Sequence, residues 1–164
     1  MLLLTMLAEL SIAAFAANYG KIPLHFEPNL GQASPGVRYV GHARGYTFEL
    51  DGTQATVRSE GGLFRMRLAG ARAPLAIEPV EKLPGVTNYL NKPKEADWVR
   101  NVPQYRRLKL AAVYPGIDLI YYGAEKQIEY DFVVAPHADP GKIRFRLDGA
   151  RLEKSGELLL PGGF

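Results

Sequence analysis

From Val37 onward the chain alternates apolar and polar residues with a period of two, as half-buried β-strands do, since successive side chains point to opposite faces. Tyr46-Thr47-Phe48-Glu49-Leu50 is the cleanest case, and Asp51-Gly52 follows it. Both turn residues tolerate positive φ, so the pair predicts a hairpin into a returning strand over Gln54–Arg58. Gly61-Gly62 opens Leu63–Leu68, with Phe64, Met66 and Leu68 on one face and Arg65 and Arg67 on the other. Further short strands are predicted at Val37–Val40, Pro74–Val80, Val86–Leu90 and Tyr105–Leu110. Leu83-Pro84-Gly85 reads as a turn, because Pro presets φ at one corner and Gly takes the other. Tyr114-Pro115-Gly116 turns into Ile117–Tyr122, which returns through 123–126 as Gln127–Val134. In that second strand Ile128, Tyr130, Phe132 and Val134 share one face, and Glu129 and Asp131 the other. Ile143–Leu147, Arg151–Glu153 and Glu157–Leu160 close the pattern, separated by Asp148-Gly149 and Ser155-Gly156. No window after Gly20 sustains an apolar period of 3.6 residues. About ten to twelve short, mostly antiparallel strands predict an all-β, single-domain β-sandwich over residues 18–160.

Met1 to Ala17 departs from this pattern. Leu2, Leu3, Leu4, Met6, Leu7, Leu10, Ile12 and Phe15 form an apolar run that ends on Ala14-Phe15-Ala16, an A-x-A sequence suited to signal peptidase. The run is shorter than the ~20 residues that a bilayer span needs. It predicts a signal peptide or its remnant at 1–17, an exported mature chain without a membrane span, and a periplasmic, secreted or cell-surface location. Glu9 inside the run, and the absence of Lys or Arg before it, depart from the usual signal pattern; an N-terminal amphipathic helix is the alternative. Pro161-Gly162-Gly163-Phe164 reads as the start of a linker or a truncated end.

Composition narrows the chemistry. The 164 residues are 47% hydrophobic and 23% charged, the balance of a globular domain, and the 17 Gly and 12 Pro are spread along the chain as turns require. The net charge of +3 gives no concentrated positive field, so no nucleic-acid partner is expected. The densest basic stretch, Arg100 to Lys109, reads as a solvated strand face. There are no cysteines, which excludes disulfides, thiol nucleophiles and thiolate metal sites. His25, His42 and His137 have no ligand-like spacing, and Ser34, Ser59 and Ser155 lack a G-x-S-x-G setting. No phosphate-binding glycine motif is present, and no catalytic motif emerges.

Three groups of residues remain as candidates. If Ile117–Tyr122 and Ile128–Val134 pair, Glu129 and Asp131 stand on one face, with Asp118 near them in some registers, and three carboxylates offer hard oxygen ligands for Ca²⁺. Two of them could act as the acid and base of a glycosidase, while a solvated strand face with Lys or Arg partners is the plainer reading. Glu27, Asn29 and Gln32 lie in a polar segment that reads as a structural loop or, alternatively, a ligand contact. Trp98, Tyr121 and Tyr122 could supply an aromatic platform for a sugar ring, although period two sends the two tyrosines to opposite faces.

Five blocks resemble one bacterial family. Pro23-Leu24-His25-Phe26-Glu27-Pro28-Asn29-Leu30-Gly31-Gln32 is similar to the opening of a domain of unknown function usually found ahead of SBBP-type β-propeller repeats in large exported proteins. Leu83 to Tyr89, Trp98 to Tyr105, Val113 to Gly123 and Glu129 to Pro140 carry the resemblance on, over nearly all of Pro23 to Leu160. It implies an exported or surface-associated β-rich protein and assigns no activity; the repeats themselves are missing from this sequence. The expected role is a non-catalytic structural, assembly or adhesion module, with another surface protein, a glycan or downstream propeller repeats as partner. A carbohydrate-binding sandwich is the second reading and a glycoside-active enzyme the third.

Overall fold

The computed structural model of the chain describes residues 24–43, 45–71, 76–124 and 127–150, together with the backbone of three short strands near its ends. Those are β1 (Leu2–Leu4), β12 (Arg151–Leu152) and β13 (Leu158–Leu159). Between them run β2 (Phe26–Pro28), β3 (Tyr39–Ala43), β4 (Tyr46–Leu50), β5 (Gln54–Ser59) and β6 (Gly62–Leu68). The later strands are β7 (Ile77–Tyr89), β8 (Val99–Tyr114), β9 (Ile117–Ala124), β10 (Gln127–Val134) and β11 (Phe145–Asp148). Apart from β1, the proposed signal segment lies outside the described residues, as does 161–164.

All of the described pairings are antiparallel. The order β1-β10-β9-β8-β2-β3-β4-β5-β6-β11, with β7 added to β8, makes one eleven-stranded sheet curled into a half-barrel. The all-β class is as expected. The two-layer sandwich is corrected to a single curled sheet, because β2 and β3 join the β8–β10 strands edge to edge to the β4–β6 meander. β12 and β13 pair apart from it.

Hairpins follow the local turn chemistry. Gly52, at φ 91, turns β4 into β5, and the Asp51 carboxylate accepts the amides of Thr53 at 2.6 Å and Gln54 at 2.9 Å. Leu83-Pro84-Gly85 is corrected from a turn to part of one 13-residue strand. The register of β7 on β8 shifts between Lys82 and Val86, so a bulge absorbs the proline. Pro has no N–H for a ladder, and it is tolerated here because β7 has only β8 as a partner among the described residues. Tyr105–Leu110 likewise extends to the 16 residues of β8. A second shift, between Leu110 and Tyr114, places Ala112 at φ 50, where its amide donates to Asp118 Oδ1 at 2.7 Å.

Apolar residues at alternate positions fill the inner face of the curl. Tyr46, Phe48 and Leu50 come from β4, Ile117, Leu119 and Tyr121 from β9, and Ile128, Phe132 and Val134 from β10. Phe26 of β2 packs edge-on against Phe48, with ring centroids 5.7 Å apart, and Gly41 faces it across the β2–β3 pair. A Cβ on Gly41 would stand 3.2 Å from the Phe26 ring, so glycine lets that ring lie flat on β3. Tyr114 anchors the rim, its hydroxyl donating to the Ala69 carbonyl at 2.9 Å.

Glu27, Val40 and Val102 are buried without belonging to that core. Glu27 pairs with Val40, one residue out of step with the Phe26–Gly41 pair, so both project from the opposite, outer face. The outer face of β2 and β3 therefore has a small buried layer of its own, and a carboxylate sits in it.

Candidate functional site

The outer layer is closed by the 29–38 loop on one side and the end of β7 on the other. Asn29 organises the loop. Its Oδ1 accepts the amides of Gly31 and Ala33 at 3.0 and 3.1 Å, and its Nδ2 donates to the carbonyls of Ser34 at 3.1 Å and Val37 at 2.8 Å. Gln32 completes the clip, accepting the Leu30 amide at 2.7 Å and donating to the Pro28 carbonyl at 2.8 Å. Both side chains thus substitute for a backbone ladder that the loop lacks. Asn29→Ala is expected to cost about 1–3 kcal/mol, since it strands several backbone groups at once, and a denaturant melt would measure this.

Beneath the loop, Glu27 is 1% exposed. Its Oε1 accepts from His25 Nε2 at 2.9 Å and from the Thr87 hydroxyl; its Oε2 accepts from the Tyr89 hydroxyl at 2.5 Å. Thr87 in turn accepts from Gln104 Nε2 at 2.8 Å. Burial pushes the Glu27 carboxyl up, but the bonds from His25, Thr87 and Tyr89 outweigh it and hold the group below its ordinary value. Burial and the neighbouring Glu27 charge push Tyr89 well up, so it keeps its proton.

That proton fixes the next link. Tyr89 has one hydrogen and gives it to Glu27, so His42 Nε2, 3.0 Å from the Tyr89 oxygen, must be the donor between them. A neutral His42 is therefore the Nε2–H tautomer, with Nδ1 as an acceptor. His42 is exposed and stands on the outer face beside Thr47, its partner across β3 and β4. Together they line a polar cleft of about 370 Å³. The 31–34 loop forms one wall, Thr47 and Glu49 of β4 the floor, and Tyr89 and Lys92 the far side.

The candidates read from sequence divide between this site and elsewhere. Glu27 is corrected from a loop residue to a buried residue of β2 that backs the cleft; Gln32 lines it and Asn29 shapes its wall. Trp98 is not in the cleft. Its ring N–H donates to the Lys92 carbonyl at 2.7 Å and the Arg100 guanidinium lies 5.0 Å over the ring, which ties down the connection bearing Lys92. Tyr121 is 4% exposed and belongs to the core. Tyr122 is on the outer face, paired with Glu129 and capped by Arg107 at 5.8 Å.

Glu129 and Asp131 both lie against the Tyr122 hydroxyl, while Asp118 is engaged apart from them. Asp118 accepts the Ala112 amide and lies 2.9 Å from Lys109 Nζ. Glu129 and Asp131 share its face but sit opposite Tyr122 and Ile120, while Asp118 sits opposite Val133. Among the described residues, no three His, Cys, Asp or Glu side chains are grouped to hold a metal ion. All four cations of the basic stretch are ion-paired: Arg100 to Glu95, Arg106 and Arg107 to Glu81, and Lys109 to Asp118. No helix among the described residues is long and apolar enough to cross a membrane.

Sequence reading missed His42, Thr87, Tyr89 and Gln104 as a group. Thr87 and Tyr89 do alternate on one strand, which is the signal that could have placed them on one face. Nothing local tied that face to Glu27, some sixty positions earlier.

Residues 26–162 match the model of a family described as a domain of unknown function (DUF7948). No curated protein and no solved structure matches the chain.

Proposed function

The chain belongs to the DUF7948 family, and from that premise we propose that it is a non-catalytic adhesion or assembly module of an exported or cell-surface bacterial protein, normally carried ahead of β-propeller repeats. The observation that supports this reading is the polar cleft over Glu27. Its walls are held in place by side-chain bonds before any partner arrives, which lowers the ordering cost of binding. Glu27, which backs the cleft, receives three bonds, and Asp118, away from it on β9, receives an amide and an ammonium. A preorganised surface with its carboxylates so engaged is suited to display and recognition.

Fractionation of cells expressing the full chain, followed by incubation of the purified protein with envelope material and a polysaccharide panel, tests this. Recovery outside the cytoplasm, retention on envelope material and no product from any polysaccharide are expected. Cytoplasmic retention would remove the export element. Polysaccharide turnover abolished by Asp118→Asn or Glu129→Gln would replace the module with a glycoside-active enzyme.

A further inference from the structure

The geometry points to the cleft between the 31–34 loop, β4 and Tyr89 as a binding site for a neutral, hydroxyl-rich ligand, a saccharide unit. This deepens the adhesion reading and rests on it, because it names the chemistry by which the module would attach.

Size comes first. About 370 Å³ lies within the ~300–1,000 Å³ of small-molecule sites. Charge comes second. The cleft holds one anion, Glu49, and one cation, Lys92, so its formal side-chain charge cancels when His42 is neutral. Glu49 also has a long, solvent-exposed pairing at 3.5 Å with Arg58, a side chain outside the cleft lining. An anionic ligand would meet Glu49 and a cationic one would meet Lys92, whereas a neutral ligand meets neither penalty.

Hydrogen-bond character comes third. Ser34 and Thr47 are hydroxyls that both donate and accept. Glu49 only accepts, Lys92 only donates, and His42 offers an acceptor at Nδ1 because its Nε2–H is committed to Tyr89. Donors and acceptors thus line one small space together, and a ring bearing adjacent hydroxyls can satisfy both kinds at once. The aromatic component comes fourth. The His42 and Tyr89 rings stand 6.2 Å apart and tilted by 51°, an apolar corner against which the C–H face of a sugar can pack. Glu27 is then a positioning residue. Through Tyr89 it sets which His42 nitrogen is the acceptor, without itself meeting the ligand.

The test is an array of neutral, N-acetylated and acidic saccharides, with free amino acids as a zwitterionic comparison, probed with the full chain. It is repeated with Thr47→Val, Ser34→Ala and His42→Ala, and with Tyr122→Phe as a control outside the cleft. Binding to neutral saccharides is expected, weakened about tenfold by Thr47→Val or His42→Ala and unchanged by Tyr122→Phe. Thr47→Val keeps the shape of the residue, so its circular dichroism and melting point separate lost binding from lost folding. Saccharide binding that all three cleft variants retain would overturn the site while leaving adhesion intact. Preference for acidic saccharides or amino acids would overturn the neutral class. No saccharide bound by a protein that still attaches to envelope material would overturn this inference alone; loss of both would overturn the adhesion reading as well.

Discussion

Glu27→Ala is expected to destabilise the chain by about 3–5 kcal/mol, the range for removing one partner from a buried charged network. The alanine removes the only acceptor that the Tyr89 hydroxyl has among the described residues, and takes the carboxylate oxygen from the Thr87 hydroxyl at a position 1% exposed. Each stranded donor costs roughly 1–3 kcal/mol. Glu27→Gln should cost less, because one amide oxygen still accepts, but its NH₂ meets a donor where the second oxygen was. The same residue sets an acid limit. Its folded carboxyl titrates below its ordinary value of 4.5, so the unfolded chain takes up the proton first as pH falls. The contribution of Glu27 is then complete above about pH 4.5, declines as pH falls toward the folded value, and is lost below it. Asp51 and Asp118 are also held low and act with the same sign. Melting temperatures recorded downward from pH 7 should hold steady and then drop below the ordinary carboxyl range. Glu27→Gln should flatten that drop in part, leaving the Asp51 and Asp118 share. An unaltered acid profile in Glu27→Gln would mean that the buried carboxylate is not linked to folding.

The legible and illegible parts of this site separate along physical lines. Alternation at Tyr46–Leu50 and Gln127–Val134 located β4 and β10 and their buried faces, because period two is a local property of each strand. Asp51-Gly52 located its hairpin for the same reason. Leu83-Pro84-Gly85 misled because the tripeptide is compatible both with a turn and with a bulged edge strand; only the neighbour, β8, decides. The all-β class was legible but the number of layers was not, since one curled sheet and two stacked sheets present the same inward alternation along each strand. Glu27 was noticed and misplaced: Pro28, Asn29 and Gly31 following it suggested a loop, and three residues of strand are too few to alternate visibly. The network around it joins His25, just before β2, to side chains of β3, β7 and β8, and no spacing rule joins side chains across so much chain.

Phe48→Ala should be the most damaging change on the inner face, at about 3–5 kcal/mol. The ring is 1% exposed and sits between Phe26, at 5.7 Å and nearly perpendicular, and Tyr121, at 5.2 Å. Phe26 belongs to β2 and Tyr121 to β9, so this one side chain bridges the meander to the strands beyond β8. Gly41 lies directly across from it and cannot swing a side chain into the gap, and Phe26 is already in contact with Gly41. The cavity should therefore stay open rather than collapse, which puts the cost at the upper part of the range. Phe145→Ala, at the partly buried end of the same aromatic group, should cost less because solvent can fill its place. Urea melts should show the midpoint falling in Phe48→Ala with the slope retained, since the surface exposed on unfolding hardly changes. The cleft should respond too. Thr47 and Glu49 flank Phe48 and point the other way, so loosening the ring on the inner face loosens the cleft floor on the outer one. A loss below about 1 kcal/mol would mean that the meander and the β8–β10 strands do not share one continuous core.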